Sequence, residues 1–373
     1  MGFNHNRIRT SDYHYSKEDI LVLKKDWQRF AQKKHRYPEN KFSGRGIVYT
    51  AGGLGYLTCA FVSISLLRQK GCELPIELWY KGNEISKSAM KKFKHLDVVF
   101  KIFNPNICLN LKTYGLKPLA IISSSFKEVL FMDADNNCTE NPEYLFASEE
   151  YENTGAIFWP DYWITSRRNS IWKIIGGKAI EQAEQESGQL LVNKEKCWRE
   201  LQLCLYFNRL SKFYYKIVLG DKDTFRFAWL ALKTKFHMIE TEAASAGYIY
   251  DGFFFGHTMV QHDTHGKILF LHRNLLKWDI TKNNEIAWDR IVSFKKDGRD
   301  KKIVMMHAPN GGLGVSFQGD IVVESFKTKY AGLEHACLEF LEEWREPVFF
   351  AEYMLYSHFS KNRYTEGGEF SIT

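Results

Sequence analysis

Apolar positions along the chain follow two periods. From Ser16 to about Lys34, Ile20, Leu23, Trp27 and Phe30 recur at helical spacing, which predicts a helix with one buried stripe. From Gly46 the pattern changes to short apolar runs. Gly46–Thr50 breaks into the glycine-rich turn Ala51–Gly55, and a helix is expected from about Tyr56 to Gln69. The same alternation continues through Pro75–Tyr80, Val98–Phe103, a helix over Lys117–Ser125 and the apolar strand Val129–Met132. Further strands are expected at Gly155–Trp159, Gly188–Val192, Ile268–Leu271 and Ile303–Met306, then a C-terminal helix over Leu333–Phe359 and a mobile tail. Short apolar strands alternating with helices predict an α/β fold, a mainly parallel sheet with helices on both faces. The expected division is a helical extension over residues 1–43, a main domain over 44–320 and a helical extension with tail over 321–373.

Composition narrows the class. A hydrophobic fraction of 45% in 373 residues supplies a substantial core and excludes a disordered chain. The formal charge of +7 is modest, and its basic clusters (Lys33, Lys34 and Arg36; Lys301 and Lys302) are short, so anionic ligands are favoured over nucleic acid. The seven cysteines are scattered without CxxC spacing, as expected of reduced thiols. No run approaches the ~18 consecutive apolar residues of a membrane span, and no signal peptide opens the chain. The expectation is a cytoplasmic protein if Met1 is the natural start.

The chemistry-bearing signal is EVLFMDADN, in which an apolar strand delivers Asp133 and Asp135 to its C-terminal edge, where open α/β sheets bind ligands. Two carboxylates one residue apart can converge on a divalent ion, and hard oxygen donors suit Mg²⁺ or Mn²⁺. The spacing alone is not diagnostic, since Asp221-Lys222-Asp223 repeats it. The turn TAGGLGY lets backbone approach a nucleotide, with Tyr56 available to stack on a base. Lys117, one helix before the aspartate strand, offers a cation to a diphosphate, and Arg68 is a weaker candidate of the same kind. In FWPDYW, Asp161 lies between Trp159 and Trp163, a combination that suits sugar hydroxyls and ring faces as well as it suits a core. Asp221 and Asp223 open an aromatic helix, where either can cap the helix or face a reacting centre.

The strings GRGIVYTAGG, LLRQKGCELPIELWYKG, LKPLAIISSSFKEVLFMDADN, GAIFWPD, ESGQLLVNK, GDKDTFRFAW and FLHRN, spread over residues 44–275 in this order, resemble the fungal-type α-mannosyltransferases of glycosyltransferase family 71. A looser similarity extends to the glycogenin-like retaining transferases. The resemblance implies a GT-A fold, a nucleotide-sugar donor, Mn²⁺ held through the Asp-x-Asp (with Mg²⁺ as the substitute), retention of anomeric configuration, and a glycan or glycoprotein acceptor. It implies a donor site built from Tyr49, Thr50, Ala51, Gly52, Tyr56, Lys117, Asp133, Asp161, Ser187, Gly188 and Gln189. It places Glu186, Asp221 and Asp223 nearest the reacting carbon, Asp223 slightly favoured over Asp221, and makes His272 of FLHRN the third metal ligand with Asp133 and Asp135, His307 being the reserve. Family members are usually Golgi-anchored by a membrane helix, so a truncated form would belong to the Golgi lumen. Glycogenin-like enzymes carry an acidic residue in the first turn that reads uracil. Glycines stand here, which favours GDP-mannose over a UDP-sugar. Two rival classes share some of these features. A haloacid-dehalogenase-like Mg²⁺ phosphohydrolase also uses an aspartate pair after an apolar strand, but expects Thr or Val where Asn137 stands. A non-catalytic carbohydrate-binding protein accounts for the aromatics and leaves the carboxylates unused.

Overall fold

The strand that carries the aspartates, Glu128–Asp133, lies near the middle of a nine-stranded mixed sheet. In the computed structural model, which describes residues 2–108, 111, 113–281, 286–307 and 312–345, Val129, Leu130, Phe131 and Met132 are completely buried. An unbroken apolar run is what a strand covered on both faces requires. On one side it pairs in parallel with Arg45–Thr50, bringing Thr50 opposite Asp133. Ile76–Tyr80 and Val98–Ile102 continue that parallel half outward. On the other side its partner is antiparallel: Ala183–Asn193 sets Gln189 against Met132, and the next strand, Ala156–Thr165, is antiparallel again. The sheet is therefore mixed: parallel from Glu128–Asp133 out to Val98–Ile102, and antiparallel where Ala183–Asn193 meets both its neighbours. Both strands are longer than their apolar runs suggest, because they bury polar residues: Thr165 bonds Glu184, Asp161 and Glu184 share Lys222, and Glu186 meets His272.

The N-terminal residues contribute more than a helix. Ile8–Thr10 adds a parallel strand to Ala156–Thr165, and helix Lys17–Gln32, capped by the Ser16 side chain, buries Leu23 and Trp27. The Trp27 indole donates to the Ile174 carbonyl at 2.8 Å. Helix Gly53–Gln69 starts earlier than expected, since Gly53, at φ +67°, makes the left-handed entry that other residues resist. Glu84 sits against Gly52, where an added Cβ would lie 2.0 Å from its carboxylate oxygen.

A second, wholly antiparallel sheet corrects the expectation of one parallel layer. Its order runs Lys302–His307, Leu313–Gln318, Phe253–His262, Ala244–Tyr250, Arg290–Phe294, Ile321–Ser325. Strand Ile268–His272 pairs with Phe253–His262 on one edge and with the short strand Asn136–Cys138 on the other. Asn136 lies opposite His272, so the chain leaves the first sheet at Asp133 and joins the second at Asn136. One hydrophobic cluster fills the space between the sheets, helix Gly53–Gln69 and C-terminal helix Leu333–Trp344. A second covers the opposite face of the first sheet beneath helices Lys17–Gln32, Trp198–Arg209 and Lys222–Leu232. All seven cysteines are free and buried. The expected continuation of the last helix to Phe359, and the tail, lie outside the described residues. No helix among those described is long and apolar enough to cross a membrane.

Candidate metal and donor site

The passage from one sheet to the other places Asp133 and Asp135 on a turn that faces His272. His272 is buried, and its two ring nitrogens look in different directions. Nε2 lies 3.2 Å from Asp135 Oδ1 and 3.8 Å from Asp133 Oδ2, whereas Nδ1 lies 3.2 Å from Glu186 Oε1. Asp133, Glu186 and His272 each offer a ligand atom within 4.8 Å of the others. Burial opposes a charged imidazole here, but Asp135 and Glu186 outweigh it and raise the His272 pKa to about 10. The same contacts bring Glu186 down to about 2 against its burial. Lys277, just beyond the strand, pairs with Asp135 Oδ2.

Several buried carboxylates around one imidazole create a demand for positive charge. The donor set of carboxylate oxygens and one nitrogen fits Mn²⁺ or Mg²⁺, the nitrogen favouring Mn²⁺. A metal-bound histidine usually offers one nitrogen to the ion and its other N–H to a carboxylate. That division matches Nε2 facing the two aspartates and Nδ1 facing Glu186.

Gly188 is part of this arrangement. Its N–H donates to Glu186 Oε1 at 2.6 Å, and an added Cβ would lie 2.4 Å from His272 Nδ1. On the other side of Asp133, Lys117 Nζ donates to Oδ2 at 2.8 Å and to Ser187 Oγ at 3.1 Å, with Asp221 Oδ2 at 3.5 Å. Ser187 Oγ donates to Asp221 at 3.0 Å. Lys117 is buried, yet Asp133 and Asp221 outweigh that burial and keep it protonated.

The other expected residues divide. Tyr56 is exposed beside the cluster, its ring 5.6 Å from Lys277 Nζ. Thr50 and Gly52 are half-buried at the sheet edge beside Asp133. Ala51 is buried next to them, its N–H donating to the Trp79 carbonyl. Gln189 Oε1 accepts from Asn136 Nδ2 at 2.6 Å, behind the turn. Tyr49 is completely buried, with its hydroxyl 3.1 Å from Ser63 Oγ. Arg68 is spent on the carbonyls of Cys72, Leu74 and Leu96. His307 ends an exposed edge strand of the second sheet, paired with Leu313.

Asp161 and Asp223 lie in a separate polar network. Asp161 pairs with Lys222, which also donates to Glu184 at 2.8 Å, and Arg9 grips Glu184 at 2.6 and 2.8 Å. Asp223, completely buried, accepts from the Gln185 N–H at 3.1 Å and pairs with Arg226 at 3.0 Å. Asp221 thus turns toward Lys117, and Asp223 toward the interior. Lys277 and Arg9 were not anticipated. A basic residue five positions after His272 was the available signal for Lys277, and the sequence held none for Arg9.

Comparison with known proteins relates the chain to mannosyltransferases. The mannosyltransferase family model Mannosyl_trans3 matches residues 44–185 and 177–263, a span that includes the aspartate turn, Glu186 and Asp221. The α-1,2-mannosyltransferase MNN5 of Saccharomyces cerevisiae is 28% identical over 351 residues, covering 72% of this chain and 59% of that protein. MNN21 of Candida albicans is 28% identical over 304 residues, covering 62% and 44%. The chain spans about half the length of these curated relatives. Among solved structures, the galactosyltransferase LgtC aligns over 52% of this chain and 72% of its own, at 16% identity and a TM-score of 0.38. With its family signature extending over more than half of its length, the chain belongs to the Mannosyl_trans3 family of mannosyltransferases.

Proposed function

We propose that this chain is a metal-dependent glycosyltransferase of the family 71 type, with a GT-A-like donor half, moving mannose from GDP-mannose to a hydroxyl of a glycan or glycoprotein acceptor with retention of configuration. The observation that carries the reading is His272, with Nε2 toward Asp133 and Asp135 and Nδ1 toward Glu186. Asp133, Asp135 and His272 would hold Mn²⁺, and Glu186 would fix the imidazole orientation. The ion supplies Lewis acidity toward the leaving diphosphate. Lys117 and Lys277, on opposite sides of the aspartates, are placed to share the developing negative charge. Ser187, bound to Lys117 and Asp221, lies beside Asp133, and Tyr56 offers an exposed aromatic face for the base. Asp221, held by Ser187, is better placed than Asp223 to meet the reacting carbon.

Glycines in the first turn favour GDP. Glu84, brought against Gly52 from another segment, returns a carboxylate to that turn and favours no one nucleotide. Incubation of the chain with Mn²⁺, labelled GDP-mannose or UDP-hexoses, and α-mannoside acceptors decides the matter. Mannose transfer from GDP-mannose, lost in Asp135→Ala, is the expected result. Transfer from a UDP-sugar only would overturn the donor assignment, and full activity in Asp135→Ala the metal assignment.

A further inference from the structure

The turn at the head of helix Gly53–Gln69 holds a carboxylate that the metal cluster leaves unused. Gly52 has an extended backbone, so its conformation does not call for glycine. Its neighbour does. A Cβ at Gly52 would strike the carboxylate of Glu84, which reaches the turn from the loop after strand Ile76–Tyr80. Glu84 is half-buried, and its hydrogen bond among the described residues comes from the Lys81 N–H, to Oε2 at 3.2 Å. Burial pushes its pKa up, and Lys81 opposes this through its N–H and its charge. A carboxylate withdrawn from water with so few partners is costly unless something else meets it.

Glu84 stands at the same end of the first sheet as the metal cluster. Asp133 lies opposite Thr50, and Thr50 opposite Trp79, so the strand ends lead from Asp133 outward to the loop that carries Glu84. Two strand spacings of ~4.8 Å separate them laterally, about 10 Å in all. Tyr56, exposed in the first turns of the helix that Gly52 opens, is near enough to Lys277, Asp135 and Asp133 for their charges to act on its phenol. On the other side of Asp133 the edge is closed, because Lys117, Ser187 and Asp221 bond one another there.

We propose that Glu84 reads the base of the nucleotide donor, accepting an N–H from its hydrogen-bonding edge and so selecting bases whose ring carries one. A nucleoside diphosphate held by its phosphates at the aspartates extends over Thr50, along the open side of the edge, and brings its base to the turn at Gly52. Guanine offers N1–H and its 2-amino group to a carboxylate, and uracil offers N3–H. Adenine and cytosine present a bare ring nitrogen at that position, which a carboxylate repels. A site built to bond a donor discriminates strongly against the analogue that lacks it. The inference rests on the nucleotide-sugar reading and does not choose between GDP and UDP.

The test is calorimetric titration of the full chain, in the presence of Mn²⁺, with GDP, UDP, ADP and CDP. The wild-type chain should bind GDP or UDP about tenfold more tightly than ADP and CDP, the worth of one charge-assisted hydrogen bond, and the stronger of the two identifies the base. Glu84→Gln, whose amide both accepts and donates, should weaken that nucleotide by about tenfold, erase most of the preference over ADP and CDP, and leave Mn²⁺ affinity unchanged. Gly52→Ala, which displaces the carboxylate from the turn without removing it, should have the same effect, and decides alone if Glu84→Gln fails to fold. Equal affinity for all four nucleotides in the wild-type chain, or undiminished preference in Glu84→Gln, would overturn the proposal and leave the nucleotide-sugar reading standing. Loss of Mn²⁺ affinity in Glu84→Gln would also overturn it, by moving Glu84 to the metal cluster. Binding of none of the four by the wild-type chain would remove the nucleotide-sugar reading and this proposal together.

Discussion

Replacing Gly188 by alanine tests the site through a single methyl group. Gly188 has no left-handed backbone, so the substitution adds no conformational strain, and its effect is steric. The new Cβ would lie 2.4 Å from His272 Nδ1, 2.7 Å from Cε1 and 2.9 Å from Glu186 Oε1, where ordinary contact begins near 3.4 Å. The imidazole must therefore retreat by about 1 Å or turn away from Glu186. Overpacking of this kind costs about 1–3 kcal/mol of stability. Loss of the carboxylate that orients a metal-bound histidine costs roughly 10–100-fold in metal affinity, or about 1.4–2.7 kcal/mol. Calorimetric Mn²⁺ titration of Gly188→Ala against wild type measures the second quantity, and thermal unfolding the first. Gly177→Ala, whose Cβ meets nothing nearer than 3.7 Å, is the control. Mn²⁺ affinity within twofold of wild type in Gly188→Ala would refute the placement of the ion on His272 and the orienting role of Glu186.

Asp223→Asn should lower stability by roughly 3–5 kcal/mol, because it leaves Arg226 without its carboxylate partner inside the protein, whereas Asp221→Asn should lose transfer with a much smaller shift in melting. Urea melts together with turnover separate the two, and the reverse pattern would exchange their roles. Lys277→Ala should weaken binding of a nucleoside diphosphate by about tenfold, the worth of one charge-assisted hydrogen bond, as read by titration with GDP and Mn²⁺; an unchanged Kd would remove Lys277 from the site. Lys194 is completely buried against Ser124 and the Phe42 ring, and burial brings its pKa down to about 6. The unfolded chain then binds one more proton than the folded chain between pH 6 and the ordinary lysine range, so stability rises with pH there, by at most about 1.4 kcal/mol per unit. Lys194→Met should remove that slope in urea melts at pH 6.5 and 8.5, and equal slopes in both proteins would show that Lys194 is charged in the fold.

The parallel half of the first sheet was legible because its strands are bounded apolar runs, and Glu128–Asp133 carried its own functional label in the two aspartates. The second sheet was legible only in fragments. Ala244–Tyr250 and Phe253–His262 hold Gly247 and Gly256 where a Cβ would strike Phe255 and Ser245, and they bury Ser245, His257, Thr258 and Gln261, so neither shows an apolar alternation. Ile268–Leu271 and Ile303–Met306 did read as strands, but nothing local says that they run antiparallel in another layer. The site follows the same division. His272 was found through its resemblance to a family string, while its relation to Glu186 depends on two strands meeting from different sheets. Asp223 and Asp221 are two residues apart on one helix start, and only packing sends one to Lys117 and the other to Arg226.

Arg9 has a consequence for how the chain is made. Its guanidinium is satisfied by Glu184, 175 residues further along, and its strand pairs with Ile164 and Thr165. During synthesis the strand Ile8–Thr10 therefore meets these partners only after Ile164, Thr165 and Glu184 have emerged. Contacts of such long sequence separation form late and slowly. A ribosome stalled before Glu184, or a fragment ending there, leaves one strand edge and one cation exposed to other chains. Glu184, Lys222 and Asp223 likewise reach their final arrangement only when Arg9 joins them.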